Sequence, residues 1–415
     1  MEPKYTDQIV ERFKKYVSYD TQSSEESESF PSTMKQKELA KVLAEELKAM
    51  GLSDVEMDEW GYVTATLPAN TDKKVPVIGL ISHMDTSPEV SGANVKPVIH
   101  HNYQGGDIQL QGDPTQVIRF ADTPALKDQI GHDIITSDGT TLLGADDKAG
   151  VTEIFTAAQY LLDHPEIKHG KIRIAITPDE EVGRGTEHFN VKKFGADYAY
   201  TIDGETVGEI ENETFCADSV VITIHGINMH PGYAKGKLVN GIKVGAEIIA
   251  RLPKDELSPE TTEGREGYVH PHAIQGGVES TTLKFLIRDF TVEGLHEKEE
   301  FLKGIADSAL REFPGATMDF EVQESYRNMR YKLDEDPKVV EFALEAVKRA
   351  GVKPHLSIIR GGTDGSKLSY EGLLTPNIFT GGHNFHSKLE WVSIQDMEKT
   401  IETIVNLVQV WEEKG

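Results

Sequence analysis

The sequence predicts an α/β protein: a mostly parallel sheet sandwiched by helices, with an inserted smaller α+β domain. Three observations predict it. Apolar strand-like runs alternate with amphipathic helical stretches over roughly the first 210 residues. Strands with alternating faces then take over, and helix–strand alternation resumes near the C-terminal end. The length, 415 residues, exceeds what one small fold of about 150 residues needs. The expected boundaries are 1–213 and 325–415 for the two parts of the main domain and 214–324 for the insertion.

Each element has its own signal. Leu39, Val42, Leu43, Leu47 and Met50 recur at helical spacing, and Gly51 follows as a stop. Tyr62 to Leu67 reads as a strand. Val75 to Ile81 reads as another, buried on both faces and ending abruptly in Ser82-His83-Met84-Asp85. A helix starts near Asp146, with Val151, Ile154, Phe155, Ala158 and Leu161 on one face. Strands Ile172 to Ile176 and Tyr198 to Ile202 follow. In the insertion, Ser219 to His225 and Thr281 to Phe290 alternate as strands, with helices around 240–252 and 297–312. Asp336 is expected to cap a helix with Pro337 at its first position, running to Gly351, and His355 to Arg360 forms a strand. The last helix starts at Ser393 with Asp396 in capping position and carries Met397, Ile401, Ile404, Val408 and Trp411 on one side.

Composition excludes several roles. With 43 Lys+Arg against 69 Asp+Glu, the net charge is −26. Such a surface repels phosphate backbones and anionic lipid, so neither a nucleic acid nor a membrane is expected as a partner. No apolar stretch approaches the ~20 residues of a membrane span, and Met1 to Tyr5 lacks a signal-like pattern. The single cysteine, Cys216, cannot form an intramolecular disulfide. A cytoplasmic protein is expected.

Four strand or helix ends carry acids or histidines: His83 and Asp85, Asp146 and Asp147, Asp179-Glu180-Glu181, and Asp203. Each alone reads more simply as a hydrogen-bonded pair or a wet helix face. Together they converge on the carboxyl edge of a parallel sheet, where ligands sit. A carboxylate cluster there repels itself unless cations occupy it. Mixed imidazole and carboxylate donors favour zinc over magnesium or calcium. Gly381-Gly382-His383-Asn384-Phe385-His386 adds two histidines, one of which could complete such a site.

Ser82-His83-Met84-Asp85, Gly144-Ala145-Asp146-Asp147-Lys148-Ala149-Gly150, Thr177-Pro178-Asp179-Glu180-Glu181-Val182-Gly183, Ile202-Asp203-Gly204 and His386-Ser387-Lys388-Leu389-Glu390 resemble, in order and spacing, the five blocks of the co-catalytic zinc exopeptidases. That group includes glutamate carboxypeptidases and aminoacylases. Within it the chain is most similar to its tripeptide-cleaving aminopeptidases. The likeness extends through His230-Pro231-Gly232-Tyr233-Ala234-Lys235-Gly236 and Ile359-Arg360-Gly361-Gly362-Thr363-Asp364-Gly365.

The resemblance implies two zinc ions per chain, or cobalt or manganese in their place. It makes Asp146 the bridging carboxylate, with His83 and Asp203 on one ion and Glu181 and His386 on the other. It makes Glu180 the general base, Asp85 the carboxylate that orients His83, and His230 the donor to the oxyanion. Arg288, Arg360 and Asn240 become candidates for gripping the peptide's terminal carboxylate. Their plainer readings stand beside these: a turn acid for Asp85, salt-bridge or exposed-strand positions for the arginines, an Asn-Gly turn for Asn240. Asp179 stands where relatives commonly carry a further Glu, and Ser387 where Gly is also expected; neither is assigned a part.

The implied activity is removal of the N-terminal residue from small peptides, chiefly tripeptides with a free N-terminus, by a catalytic main domain. The insertion would be a lid or dimerisation-type unit, making a homodimer possible. A deacylase or carboxypeptidase with the same metals is the alternative. A scaffold without turnover predicts a lost base, and a two-metal phosphatase predicts a phosphate-cradling glycine loop; the sequence has Glu180 and lacks that loop.

Overall fold

A computed structural model of the chain describes residues 2–415. They form two compact units. The first comprises the chain up to Asn212 with Met329–Ser357 and Thr363–Gly415, and the second Glu213–Asn328 with Ile358–Gly362.

The first unit is built on an eight-stranded sheet in the order Ser53–Met57, Val63–Leu67, Ile172–Thr177, Ile78–His83, Tyr198–Gly204, Asn377–Phe379, Glu209–Thr214, His355–Ile359. Its middle is parallel: Ile78–His83 pairs with Ile172–Thr177 and Tyr198–Gly204, which in turn pairs with Asn377–Phe379. Val63–Leu67 runs antiparallel to both its neighbours, and Glu209–Thr214 runs antiparallel to Asn377–Phe379. The tight turn before Val63, with Gly61 at φ 98°, joins its strands as a hairpin, and a hairpin connects only antiparallel strands.

Every residue of Ile78–His83 and Ile172–Thr177 is buried, as expected of strands covered on both faces. Ile81, Ala175 and Ala199 pack with Phe194 and with Leu368 of the helix Asp364–Tyr370. Tyr200, the next residue along, faces the other way. Its hydroxyl accepts from Trp411 Nε1 at 2.9 Å, tying the sheet to the closing helix Ile394–Lys414. The helix Ala145–Asp163 is pressed against the strand Tyr198–Gly204: a Cβ on Gly150 would lie 1.9 Å from the Ile202 carbonyl oxygen. Only glycine permits that approach.

Three features differ from expectation. The helix after Asp336 starts at Lys338, with Pro337 in its N-cap position; the Asp336 carboxylate instead accepts from Tyr198 Oη at 2.7 Å. No element is expected between 86 and 141, yet Val98–His100 and Ile134–Thr136 join Trp391–Ser393 and Gly382–His383 in a four-stranded sheet. Pieces of two and three residues carry too little periodicity to read. Pro271, flanked by His270 and His272, reads from sequence as a strand entry but lies within the strand Tyr268–Gly276. That strand is an edge with a register shift at Pro271, where a missing N–H is tolerated.

The second unit is a four-stranded antiparallel sheet, ordered Tyr268–Gly276, Ser280–Asp289, Cys216–His225, Thr317–Tyr326. Alternate residues Val220, Ile222 and Ile224 meet Leu283, Phe285 and Ile287, and Val244, Ile248, Leu295 and Leu302 from the helices Gly241–Ala250 and Val292–Leu310 cover them. Among the described residues no helix is long and apolar enough to cross a membrane.

Replacing Gly150 by Ala is expected to cost about 3 kcal/mol or more, since backbone must move to admit the methyl group. Gly304→Ala, on an exposed helix position with nothing within 4 Å of its Cβ, should gain ~0.5–1 kcal/mol. Urea unfolding of the two variants checks both signs.

Candidate metal centre

The carboxyl ends of the parallel strands deliver the side chains. His83 ends Ile78–His83, level with Thr177, which ends Ile172–Thr177. Asp179, Glu180 and Glu181 occupy the turn just beyond, and Asp203 lies at the end of Tyr198–Gly204. Asp146 sits in the first turn of Ala145–Asp163, where Asp146 and Asp147 depart from helical geometry. His386 arrives on the loop after Gly382–His383, with Asn384 and His386 both at φ 57°.

Two donor groups result, each with ligand atoms within 4.8 Å of one another: His83, Asp146 and Asp203, and Asp146, Glu181 and His386. Asp146 belongs to both. Its Oδ1 is 2.9 Å from His83 Nε2, and its Oδ2 is 3.2 Å from His386 Nε2. His83 Nε2 is also 3.4 Å from Asp203 Oδ1, and His386 Nε2 2.8 Å from Glu181 Oε2. Ligands about 2.0–2.1 Å from a tetrahedral zinc are about 3.3 Å from each other, so these separations suit a shared ion. Glu181 Oε1 is buried without a hydrogen-bond partner, a lone pair that a cation would satisfy.

The protonation balance points the same way. Burial opposes charge on His83, yet Asp203, Asp146 and Asp85 outweigh it and raise its pKa well above the usual range. Burial likewise opposes charge on His386, but Asp146 and Glu181 push it up to about 11. Burial and Asp146 raise Glu181 to about 8. Burial also holds Glu180 well above the carboxylate range, with Asp364, Asp203 and Glu181 acting in the same sense. Such a set retains protons when it has no cation, and divalent cations displace them on binding.

Several groups hold the donors in place. Asp85, fully buried, accepts from the Glu180 amide at 3.0 Å and the Glu181 amide at 3.2 Å. The ring of His83 is oriented mainly by Asp85's main-chain oxygen, 3.1 Å from Nδ1, with the carboxylate at 3.4 Å. Asp85 thus acts on both the histidine and the turn. Asp179, given no part from sequence, is buried at φ 58° and accepts from Ser32 N, Ser32 Oγ and Gln36 Nε2 at 2.5–2.6 Å. Asp364 accepts from Thr177 Oγ1 at 2.9 Å and lies over Gly185, where a Cβ would be 2.2 Å away. Glu390 accepts from the amides of Leu143 and Gly144 at 2.7 Å and of Asp146 at 3.0 Å. Asp147 turns inward, accepting from His83 N and Gly150 N at 3.2 Å and from Ser82 Oγ. Lys148 is buried too, and its ammonium donates to the Tyr19 carbonyl at 2.8 Å. Asp364 and Glu390 stood inside quoted motifs, but nothing in the sequence says which amides a carboxylate will meet.

The remaining candidates belong to the second unit. His230 opens the turn Pro231–Tyr233, its Nδ1 accepting from Gly232 N at 3.1 Å. Asn240 caps Gly241–Ala250 through Oδ1, at 2.9 Å from Ile242 N. Arg288 donates from Nη1 to the Ile287 and Asp218 carbonyls, and its guanidinium lies over Tyr326. Arg360 donates to Thr262, Gly264 and Glu266 and stacks over Phe215 and Tyr268. Its hydrogen-bonding capacity goes into holding residues 262–266.

Glu390→Gln removes one of the two acceptor oxygens that hold the backbone around Asp146. The expected result is metal affinity lowered by about 10–100-fold, measured as metal retained in chelator-buffered solutions, with the folded state kept.

Comparison with known proteins bears on this centre. A sequence model of Peptidase family M20/M25/M40 matches residues 138–410. Peptidase T of Caldanaerobacter subterraneus subsp. tengcongensis is 52% identical over 407 residues, covering 98% of this chain and 99% of that protein. Peptidase T of a Geobacillus species is 51% identical over 408 residues, covering 98% and 99%. Among solved structures, aminopeptidase PepT from Bacillus cereus superposes with a TM-score of 0.75 at 27% identity, covering 98% of this chain and 99% of that one. A dinuclear metal binding peptidase of the M20 family from Bacillus subtilis shares the fold, with a TM-score of 0.67 at 14% identity and full coverage of both chains. With about two thirds of its length matched by the family model and half its residues shared with full-length peptidases, the chain belongs to Peptidase family M20/M25/M40.

Proposed function

We propose that the protein is a dinuclear zinc aminopeptidase that removes the N-terminal residue from tripeptides, working in the cytoplasm. The observation that carries the reading is the placement of Asp146, whose two oxygens face separate imidazoles while Glu180 belongs to neither donor group. The names of the relatives, peptidase T and aminopeptidase PepT, support the substrate class. His83, Asp146 and Asp203 would hold one ion, and Asp146, Glu181 and His386 the other. Two imidazoles among carboxylates suit zinc, and cobalt or manganese accept the same donors.

Bound there, such ions would bring water's pKa toward neutrality and polarise the scissile carbonyl. Glu180 takes the proton from the attacking water as the new C–O bond forms and the carbonyl becomes a tetrahedral oxyanion, then delivers that proton to the amine as the oxyanion collapses and the peptide C–N bond breaks. Asp85 holds the amides of Glu180 and Glu181 so that base and ligand keep fixed relative positions. No serine or cysteine nucleophile is required. His230 would steady the oxyanion, and Arg288 would grip the terminal carboxylate.

Zinc-loaded protein is expected to cleave Ala-Ala-Ala in preference to its N-acetylated form; the reverse preference would establish a deacylase instead. Glu180→Ala should retain about two ions per chain and lose about 10³-fold or more in kcat, as removal of a base that is not a ligand does. Metal analysis alongside the peptide assay separates loss of the base from loss of the site.

A further inference from the structure

A cavity of about 680 Å³ opens beside the metal centre, with Asp146 and His386 in one wall and Asp122, Glu205, His383 and Phe385 among the other lining residues. Glu205 directly follows Gly204, the last residue of the strand Tyr198–Gly204 that carries Asp203. Neither Glu205 nor Asp122 has a cationic partner among the described residues, and no lysine or arginine lines the cavity. Glu205 and Asp122 thus line the cavity with carboxylates that no lysine or arginine answers.

His383 adds an independent observation. The residue is only 5% exposed, and its ring stacks on Trp391 with centroids 4.3 Å apart. Among the described residues neither ring nitrogen has a hydrogen-bond partner, although the residue lines the cavity. Burial lowers its pKa to about 4, so the ring is neutral at pH 7 and offers one acceptor nitrogen. A buried polar group of this kind calls for a partner. The partner that suits an acceptor nitrogen in a cavity that also holds an unpaired carboxylate is a cation with several N–H donors.

We propose that this cavity receives the substrate's amino-terminal residue, and that Glu205 and His383 together bind its free α-ammonium. The proposal rests on the aminopeptidase reading and deepens it by naming what sets the preference for an unblocked N-terminus. An ammonium offers three donors and no acceptor, matching a carboxylate and a neutral imidazole. The four carboxylates of the centre, Asp146, Asp203, Glu181 and Glu180, balance two divalent charges, so the ammonium needs an anion of its own, and Glu205 supplies it. An acylated nitrogen brings no charge and one donor at most, leaving Glu205 and His383 under-satisfied; that is how a site built for a hydrogen-bonding group rejects the analogue that lacks it.

The test uses zinc-loaded full-length protein carrying Glu180→Gln, which binds without turnover. Two ligands are titrated calorimetrically: Ala-Ala-Ala, and propionyl-Ala-Ala, which has the same skeleton without the amine. Adding Glu205→Gln or His383→Phe is expected to weaken the tripeptide at least about tenfold and to leave the propionyl compound within about twofold. Phe keeps the stack on Trp391 and removes the acceptor nitrogen. Equal losses for both ligands, no loss for either, or a parent that binds the tripeptide no better than the propionyl compound would each overturn the proposal. Should His383→Phe not fold, Glu205→Gln, at an exposed position, decides alone. Hydrolysis by the wild type keeps the two readings apart: failure to cleave Ala-Ala-Ala removes the aminopeptidase, whereas cleavage with undiscriminating variants removes only the ammonium site.

Discussion

The structure turns on one carboxylate with two neighbours. Asp146 presents one oxygen to His83 and the other to His386, and that sharing decides what surrounds it. Three carboxylates and two imidazoles brought this close out of water repel or trap protons unless cations join them. Side chains gathered this closely are sensitive to small displacements, which change which oxygen faces which imidazole. The backbone around Asp146 is accordingly fixed by the three amides that Glu390 accepts, and the helix that carries it is pinned to the sheet at Gly150.

The turn bearing Glu180 and Glu181 shows the same logic from another direction. It is short, and its left-handed residues Asp179 and Gly183 would leave it loose by itself. Asp85 holds its amides, Ser32 and Gln36 hold Asp179, and Asp364 holds Thr177 at the strand end. Side chains from three separate stretches of the chain thus determine where Glu180 and Glu181 lie. Polar groups buried to this degree are stable only because each finds a partner.

Much of this was legible in the sequence. The parallel strands at the middle of the sheet announce themselves as apolar runs too short for helices, and the acids and histidines follow at their carboxyl ends, where such sheets bind ligands. The two donor groups gather the five side chains singled out from motif order. What went unread was equally specific. Val98–His100 and Ile134–Thr136 are too short to carry a period. Asp336 looked like a cap and serves Tyr198 instead, since several acceptors compete for one end of a helix and packing chooses between them. Which groups Arg360 meets, the carbonyls of Thr262, Gly264 and Glu266, had no signal in the sequence either.

By itself the sequence determined the class of fold, which depends on local periodicity, and its motifs, through their resemblance to a known family, named the five side chains proposed as donors. The tertiary structure alone decided which atoms meet: that Asp146 faces two imidazoles, that Asp179 is clasped, that His383 stacks on Trp391 in the wall of a cavity that Glu205 also lines. Those facts arise from contacts between residues up to hundreds of positions apart, and no local pattern encodes the distance between two side chains that only the packed chain brings together.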